Sequence, residues 1–391
     1  RNVCVRSARS KSPAKRLCRC LNLINNDEKL LKTGVYVHFP YCKSKCAYCS
    51  FCSSADKSTA EDYVKSLCRE INDRGNGASV NTVYFGGGTP TVMPFDSLTS
   101  AFGAIAKRFD LSELDEFTVE ANPDSVTHDF IREIKSVGVN RVSMGLQSAS
   151  DEILEKIGRV HTVGRFCRAV EALRDAGIDN ISSDLIIGLD GQDERDVENA
   201  VELWQDLGIT HASVYSLSVE EGTPMYRSGY RPDPDRQADM YEFAVKMLRG
   251  AGFDRYEVSN FARNGKISLH NYKYWTGADY YGFGAAAHSK IGKTRRENPS
   301  DALAYINGAG IKEYGLLPSD ERTEYIMLSL RTANGLNYER YIAVTGKDIR
   351  RERAKEIAEL IKLGVTADDG ENLRATDKGF YLLDSIITEL M

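Results

Sequence analysis

Short β-rich runs alternate with longer helical patterns between residues 35 and 217, and this alternation constrains the fold more than any other feature of the chain. Strands joined by crossover helices pair in parallel and carry the helices on the faces of the sheet. The runs that predict strands are residues 35–39, 82–85, 117–121, 141–146, 181–187 and 212–217. Six such units make an incomplete barrel, so we predict an α/β fold with its chemistry at the carboxyl ends of the strands.

The segments between these strands have helical start and stop signals. Thr or Asp stands at the expected N-cap of the clearest patterns, and Gly177 closes the second of them. These patterns cover residues 59–74, 163–176 and 193–206. A polar stretch at 226–235 then interrupts the alternation, and residues 257–290 predict irregular, aromatic-rich chain.

The last part of the chain has a different character and predicts a small, winged-helix-like C-terminal domain. Three helical patterns are followed by a turn, a short extended run and a final helix, at residues 322–330, 338–345, 349–363, 368–370 and 373–376 onward. We therefore divide the chain into a basic segment (1–30), a barrel with an aromatic-rich extension (31–312) and the C-terminal domain (313–391).

Charge and cysteine usage narrow the function classes. The formal net charge of -5 gives no overall basic field, so we expect no nucleic-acid partner. The nine cysteines are odd in number and none lies beyond Cys167, which favours a reducing compartment over a disulfide framework. No run approaches the roughly 20 apolar residues that cross a bilayer, which predicts a soluble protein and leaves peripheral membrane contact open.

The first 26 residues are basic, rich in serine and free of acids. This composition resembles an organellar transit segment, and a disordered basic tail is the alternative. We expect a cytoplasmic protein, or one in the matrix of a mitochondrion or plastid if the segment is a transit peptide.

Three cysteines follow the first predicted strand in one loop, with the spacing C-x3-C-x2-C: Cys42, Cys46 and Cys49. Three thiolates on a 4Fe-4S cube leave one iron open, whereas a closed zinc site takes four protein ligands. Cys52 as a fourth ligand would give zinc or a closed cluster. At the end of the second strand, the glycine run 86–88 followed by Thr89 lets the backbone approach a ligand closely, although such a run is more often only a turn.

The cysteine loop, with Tyr48 ahead of its last cysteine, resembles that of the radical S-adenosylmethionine (SAM) superfamily. The glycine run, the later strand ends 119–123, 143–148 and 183–189, and residues 157–161 are together similar to one branch of it. That branch contains the oxygen-independent coproporphyrinogen III oxidase and the HemW-type haem chaperones. The resemblance implies a 4Fe-4S cluster on the three cysteines, with SAM chelated at the open iron and cleaved to a 5'-deoxyadenosyl radical.

The same resemblance implies which residues contact SAM. Glu120 suits the SAM ammonium, Arg159 its carboxylate and Asp184 its ribose hydroxyls, although each taken singly would be assigned to a local ion pair. His38 is expected to be a packed histidine beside the site. The full set of implied contacts is Tyr36, Gly87, Gly88, Thr89, Glu120, Gln147, Arg159 and Asp184.

Two features favour the chaperone side of this branch. Phe51 stands where the oxidase has a further cysteine, and residues 270–275 match the HNxxYW element of the chaperones. Histidine is a common axial ligand of haem iron, so His270 is the candidate haem ligand, with a histidine hydrogen-bonded in an aromatic core as the alternative. His288 is either a second haem-proximal group or a structural histidine.

The leading hypothesis is a haem chaperone that binds haem as cargo and transfers it to apoproteins. The alternatives are the oxidase, which decarboxylates coproporphyrinogen III, and a radical SAM enzyme for another substrate. An electron donor is implied, and a homodimer is left open.

Overall fold

The computed structural model describes residues 28–94 and 96–391. The basic N-terminal segment lies outside the described residues up to position 27, and with it the predicted transit peptide. In the described part of the chain, no helix is long and apolar enough to cross a membrane.

All six predicted strands are present, and they pair in parallel in chain order. Their bounds exceed the predicted ones by a residue or two at most of their ends. They are β1 (Thr33–Phe39), β2 (Val80–Gly87), β3 (Glu116–Ala121), β4 (Arg141–Gln147), β5 (Asn180–Ile187) and β6 (His211–Ser216). The predicted incomplete barrel is confirmed.

Helices cover the outside of these strands, and their ends follow the expected capping chemistry. The side chains of Thr162 and Asp193 accept hydrogen bonds from the first turns of their helices. Thr59 makes no such bond, because its hydroxyl is paired with the Tyr41 hydroxyl at 2.9 Å. The helices are Ala60–Arg74, Asp96–Arg108, His128–Ser136, Asp151–Lys156, Val163–Asp175 and Glu194–Asp206, with 3-10 turns at Glu28–Leu31, Pro90–Val92 and Pro123–Ser125.

The prediction of irregular chain at residues 257–290 is wrong. This region supplies strands to both edges of the sheet, and strands of two to four residues are too short to show a period in the sequence. Beyond β6 lie β8 (Asn260–Ala262) and β7 (Asp254–Arg255); beyond β1 lie β9 (Tyr280–Phe283), β10 (His288–Ile291), β11 (Thr294–Glu297) and β12 (Lys312–Gly315). Helices Pro224–Arg227, Pro234–Gly250 and Ala302–Ile306 complete this part.

A helix within this region, Leu269–Thr276, closes the amino end of the barrel, and we call it the floor helix. Its first backbone amides, of Leu269 and His270, donate to the Glu116 carboxylate at the start of β3. Its Lys273 ammonium donates to the carbonyls of Lys29 and Lys32, just before β1.

The barrel strands alternate between two kinds of side chain. Val35 and Val37 of β1 are fully buried in the core beneath the helices, whereas Tyr36 between them lines a cavity inside the barrel. In β3, Phe117 and Val119 belong to the same core, and Glu120 lines the cavity. The interior of the barrel is therefore polar.

The C-terminal region has the predicted winged-helix-like composition, with two corrections. The helix predicted at 349–363 is broken at Arg353 into two, and the predicted final helix is also two helices. Six helices surround the antiparallel strands β13 (Leu336–Asn337), β14 (Thr366–Asp368) and β15 (Asn372–Ala375); these helices are Pro318–Ser329, Tyr338–Thr345, Ile349–Glu352, Ala354–Lys362, Asp377–Phe380 and Leu383–Leu390. Strand β12 spans the proposed boundary at residue 313, and the division into domains stays a prediction.

Candidate functional site

The cysteine loop lies at the carboxyl end of β1, and backbone hydrogen bonds hold it there. The Cys42 amide donates to the Ser54 carbonyl at 2.9 Å, and the Ala47 amide donates to the Ile157 carbonyl at 3.0 Å. A loop anchored on two sides holds its thiols in a defined arrangement before any cofactor binds.

The three predicted ligands influence one another's protonation, whereas Cys52 is hydrogen-bonded to a different segment of the chain. Burial raises the pKa of the Cys49 thiol, and the neighbouring Cys46 and Cys42 thiols add to the rise. Cys52 Sγ donates to the Ser300 carbonyl on a different segment. Among the described residues, no three potential ligands stand close enough to share one metal ion, whereas a 4Fe-4S cube takes each thiolate on a different iron.

A chain of side-chain contacts connects two of these thiols through the predicted SAM residues. Thr89 Oγ1 donates to Cys42 Sγ at 3.7 Å, and Arg159 Nη1 donates to Cys46 Sγ at 3.6 Å. Asn122 joins the two, because its Nδ2 donates to Thr89 Oγ1 and its Oδ1 accepts from Arg159 Nη2, both at 2.9 Å. Asn122 is not among the residues predicted to form the site.

The glycine run packs directly against the cysteine loop. A Cβ atom on Gly87, which has φ +116°, would lie 2.7 Å from the His38 ring, and one on Gly88 would lie 2.6 Å from the Tyr41 carbonyl oxygen. The Thr89 amide donates to that same carbonyl at 2.8 Å. Glycine is therefore required here by the close approach of β2 to the loop after β1.

His38 is a packed histidine, as expected from the sequence. Its Nε2 lies 3.0 Å from the Cys52 carbonyl, which can only accept, so Nε2 carries the proton. Its Nδ1 then accepts from the Tyr36 hydroxyl at 3.0 Å. Burial lowers the pKa of His38, in keeping with a neutral ring.

A cavity of about 180 Å³ lies inside the barrel, and three of the predicted SAM residues line it: Tyr36, Glu120 and Asp184. Glu120 accepts from the Tyr84 hydroxyl at 2.7 Å and from the Gly87 amide at 3.1 Å. Burial raises the pKa of Glu120 to about 7 and that of Asp184 to about 6. A cavity with two buried carboxylates is suited to a ligand that carries positive charge and hydroxyl donors.

Several cavity residues were not predicted from the sequence. A signal was present, because strands buried on both faces are normally continuous apolar runs, whereas here polar residues recur at alternate positions, as at Glu116, Thr118 and Glu120 of β3. The additional lining residues are Tyr84, Arg141, Ser143, Ser182, Ser213, Tyr215, Asn271 and Tyr274.

Gln147 ends β4 in an unusual backbone conformation, with φ 70°. The pairing of β4 with β5 is irregular between Gly145 and Gln147, and the next residue, Ser148, is fixed by its hydrogen bonds to the Asp196 carboxylate. A left-handed non-glycine residue at a strand end is typical of a functional constraint.

His270 lies at the opposite end of the barrel from the cysteine loop. Its ring is enclosed, with Nδ1 3.0 Å from Thr82 Oγ1 and Nε2 3.0 Å from the Tyr274 hydroxyl. Burial lowers its pKa to about 3, and the nearby charge of Lys273 adds to the shift. Coordination of haem iron by His270 requires that one of these bonds opens. His288 is exposed on β10, with Nδ1 3.9 Å from a Glu297 oxygen.

Comparison with known proteins defines the class. The chain matches the model of the radical SAM superfamily over residues 36–204 and that of the HemN C-terminal domain over residues 316–382. The solved structure of coproporphyrinogen III oxidase (HemN) from Escherichia coli superposes with a TM-score of 0.81 at 20% identity, covering 97% of this chain and 93% of that one. Fold and site thus define a radical SAM protein with a HemN-type C-terminal domain.

Two curated relatives that align over most of this chain give the narrower assignment. The heme chaperone HemW of Lactococcus lactis is 34% identical over 368 residues, which cover 92% of this chain and 97% of the relative. Radical S-adenosyl methionine domain-containing protein 1, mitochondrial, of Mus musculus is 32% identical over 390 residues, which cover 92% and 87%. The chain belongs to the HemW family, and the predicted resemblance is confirmed.

Proposed function

We propose that this protein is a haem chaperone that binds haem and transfers it to apoproteins, and that a SAM-bound 4Fe-4S cluster regulates this transfer. The observation that carries the proposal is the near full-length similarity to proteins named heme chaperone HemW. Phe51, at the position of the oxidase's further cysteine, supports the same choice.

Cys42, Cys46 and Cys49 would hold the cluster. They fit it because the anchored loop keeps three thiols together, while Cys52 is paired with the Ser300 carbonyl. When bound, the cluster supplies one-electron chemistry and an open iron. Thr89 and Arg159 would donate hydrogen bonds to cluster sulfurs, as they do to the free thiols here, and such donors tune cluster potentials.

The predicted SAM contacts include acidic side chains that accept hydrogen bonds and a basic side chain that donates them. Glu120 and Asp184 would accept from the ammonium and the ribose hydroxyls, and Arg159 would turn one nitrogen to the carboxylate. Tyr36 would lie against the ligand from the wall of the same cavity. Gly87, Gly88 and Thr89 would border it on the side of the cysteine loop, and Gln147 would do so at the end of β4.

The haem role of His270 is the least direct part of the proposal. Its place in the HNxxYW element supports it, while both ring nitrogens are paired inside the protein. We therefore propose that haem binding includes a movement of the floor helix that frees one nitrogen.

An anaerobic haem titration of the reconstituted protein, followed at the Soret band, tests this function. Stoichiometric binding that is weakened in His270→Ala is expected. Thr82→Val, which deletes one partner of the ring and keeps the imidazole, serves as the control and should retain haem. Absence of specific haem binding by protein with an intact cluster would refute the chaperone proposal.

The likeness of the fold to coproporphyrinogen III oxidase favours a second candidate, radical decarboxylation of coproporphyrinogen III. Incubation with that substrate, SAM and a reductant separates the two, because only an oxidase forms the decarboxylated tetrapyrrole. SAM cleavage stimulated by an unrelated metabolite, without haem binding, would indicate a radical SAM enzyme for another substrate.

The proposal also covers further partners and the compartment. An electron donor for the cluster, a homodimer and peripheral membrane contact stay predictions. Because the mouse relative is named as mitochondrial, we propose an organellar matrix location if residues 1–27 are a transit peptide, and a cytoplasmic one otherwise.

A further inference from the structure

Arg141, the first residue of β4, is a buried charged residue without an adequate partner. Its side chain is 1% exposed, yet its one hydrogen bond within the described residues is a long one, from Nη1 to Thr118 Oγ1 at 3.4 Å. Its Nε is also buried and lacks a partner there. A guanidinium has five N–H donors, so burying one this poorly paired is costly unless its charge serves another group.

The charge of Arg141 acts on the two carboxylates of the cavity. Arg141 lines this cavity together with Glu120 and Asp184. The strand registers place them close, because Ser143, two residues after Arg141 on the same face of β4, pairs with Glu120, and Gly145 pairs with Asp184. By these registers Arg141 lies one layer below Glu120 and two layers below Asp184, towards the floor helix.

We propose that Arg141 is a positioning residue whose charge favours the ionised forms of Glu120 and Asp184, so that both can accept hydrogen bonds from bound SAM. This inference rests on the proposed SAM site and deepens it. Arg141 contributes charge from beneath the ligand and does not contact the ligand itself.

The other groups around the carboxylates do not replace this charge. Arg159 also acts on Asp184, but its Nη1 and Nη2 are directed to Cys46, Asn122 and the Gly145 carbonyl. The tyrosines that face the cavity have raised pKa values because of burial, so they are neutral donors near pH 7; they are Tyr36, Tyr84, Tyr215 and Tyr274.

The direction of the effect follows from the pKa shifts. Burial raises the pKa of Glu120 and of Asp184, and the charge of Arg141 opposes the rise at both. Without that charge, each carboxylate would take up its proton at a higher pH. SAM affinity would then fall near neutral pH and return as the pH is raised.

The test is a calorimetric titration of SAM into the anaerobically reconstituted full chain, from about pH 6 to about pH 9, for wild type and Arg141→Gln. We expect the midpoint of the pH profile to rise by about one unit, which makes binding about tenfold weaker at neutral pH and close to wild type at the alkaline end. Arg141→Lys, whose compact charge lies further from the carboxylates, should shift the midpoint by less. The amino group of SAM titrates equally in all variants and cancels in the comparison.

Two controls separate this idea from others. Thr118→Val removes the hydrogen-bond partner of Arg141 and keeps its charge, so the profile should stay that of wild type. Arg168→Gln, on the exposed side of a barrel helix, should also leave it unchanged. If Arg141→Gln does not fold, Arg141→Met, which also removes the charge and keeps an unbranched side chain, takes its place as the test.

Each outcome decides one of the two proposals. No SAM binding by wild type would refute the SAM site. With wild-type binding intact, a profile that does not move in the variant that removes the charge would overturn the role of Arg141. A loss of affinity that is equal at every pH would overturn it as well, because that pattern indicates distortion of the site or direct contact with the ligand.

Discussion

The two ends of the barrel hold their polar side chains in different ways. At the carboxyl end, Thr89 and Arg159 donate to the thiols of the cysteine loop at sulfur distances of 3.6 to 3.7 Å, contacts that a cofactor can take over. At the amino end, both nitrogens of His270 are bonded inside the protein and its ring is 1% exposed. The polar side chains at the carboxyl end, which we call the open end, can therefore bind a ligand. Those at the amino end, which we call the closed end, stabilise the fold.

The largest effect is expected at the open end, from loss of the cysteines. Replacing Cys42, Cys46 or Cys49 with Ala should abolish iron-sulfur absorbance, because two thiolates do not hold a 4Fe-4S cube. Cys52→Ala is the matched control and should keep the absorbance, since that thiol bonds to the Ser300 carbonyl. Loss of the cluster in Cys52→Ala alone would overturn the ligand assignment.

The second largest effect is expected at the closed end, on the free energy of unfolding. His270→Ala should lower the free energy of unfolding by about 2 to 4 kcal/mol, because it leaves a cavity and two unpaired hydroxyls, of Thr82 and Tyr274. Thr82→Val should cost about 1 kcal/mol. Chemical denaturation of the haem-free protein gives both values. A His270→Ala protein as stable as wild type would contradict a structural role for His270. The two ends of the barrel would then not differ in their contribution to stability.

The carboxylates between the two ends should give intermediate effects. Asp184→Asn should weaken SAM binding about tenfold to a hundredfold, because hydrogen bonds to a charged acceptor are worth about 1.5 to 3 kcal/mol. Equilibrium dialysis with labelled SAM measures this loss. Asp190→Asn, at an exposed position beyond β5, is the control. Equal affinity for Asp184→Asn and wild type would remove Asp184 from the site.

The wild-type protein should itself be sensitive to pH. The raised pKa values of Asp184 and Glu120, about 6 and about 7, mean that the ligand-free fold favours the protonated acids. Their contribution to stability is thus favourable at low pH and is lost as the pH rises through these values, while SAM affinity rises over the same range. The SAM-induced increase in Tm should grow between about pH 5 and about pH 8. A constant increase would contradict this.

The smallest effect is expected for Asn122→Ala. The substitution removes the amide that joins Thr89 to Arg159 and leaves both side chains in place, so SAM affinity should fall only a few-fold, by about 1 kcal/mol. Cluster absorbance should persist. A loss as large as that of Asp184→Asn would mean that Asn122 contacts the ligand itself.

The barrel could be predicted from the sequence because each of its strands is long enough to show its β-rich character and carries a motif at its end. It failed at residues 257–290, where the strands are short and owe their place to pairing with β1 and β6, contacts distant in sequence. Asn122 and Arg141 were missed for a related reason. Their roles depend on neighbours across the barrel, and nothing in their own segments identifies those neighbours.

The floor helix is held by backbone groups just before β1, and this limits where the chain can be cut. The buried ammonium of Lys273 is held by the carbonyls of Lys29 and Lys32, and Thr276 donates to the carbonyl of Leu30. A cut that preserves these contacts must therefore leave Lys29 and all later residues in the chain. A cut after Lys32 would remove the acceptors of a buried cation and release the helix, so the barrel limits where a transit peptide could end if residues 1–27 are one.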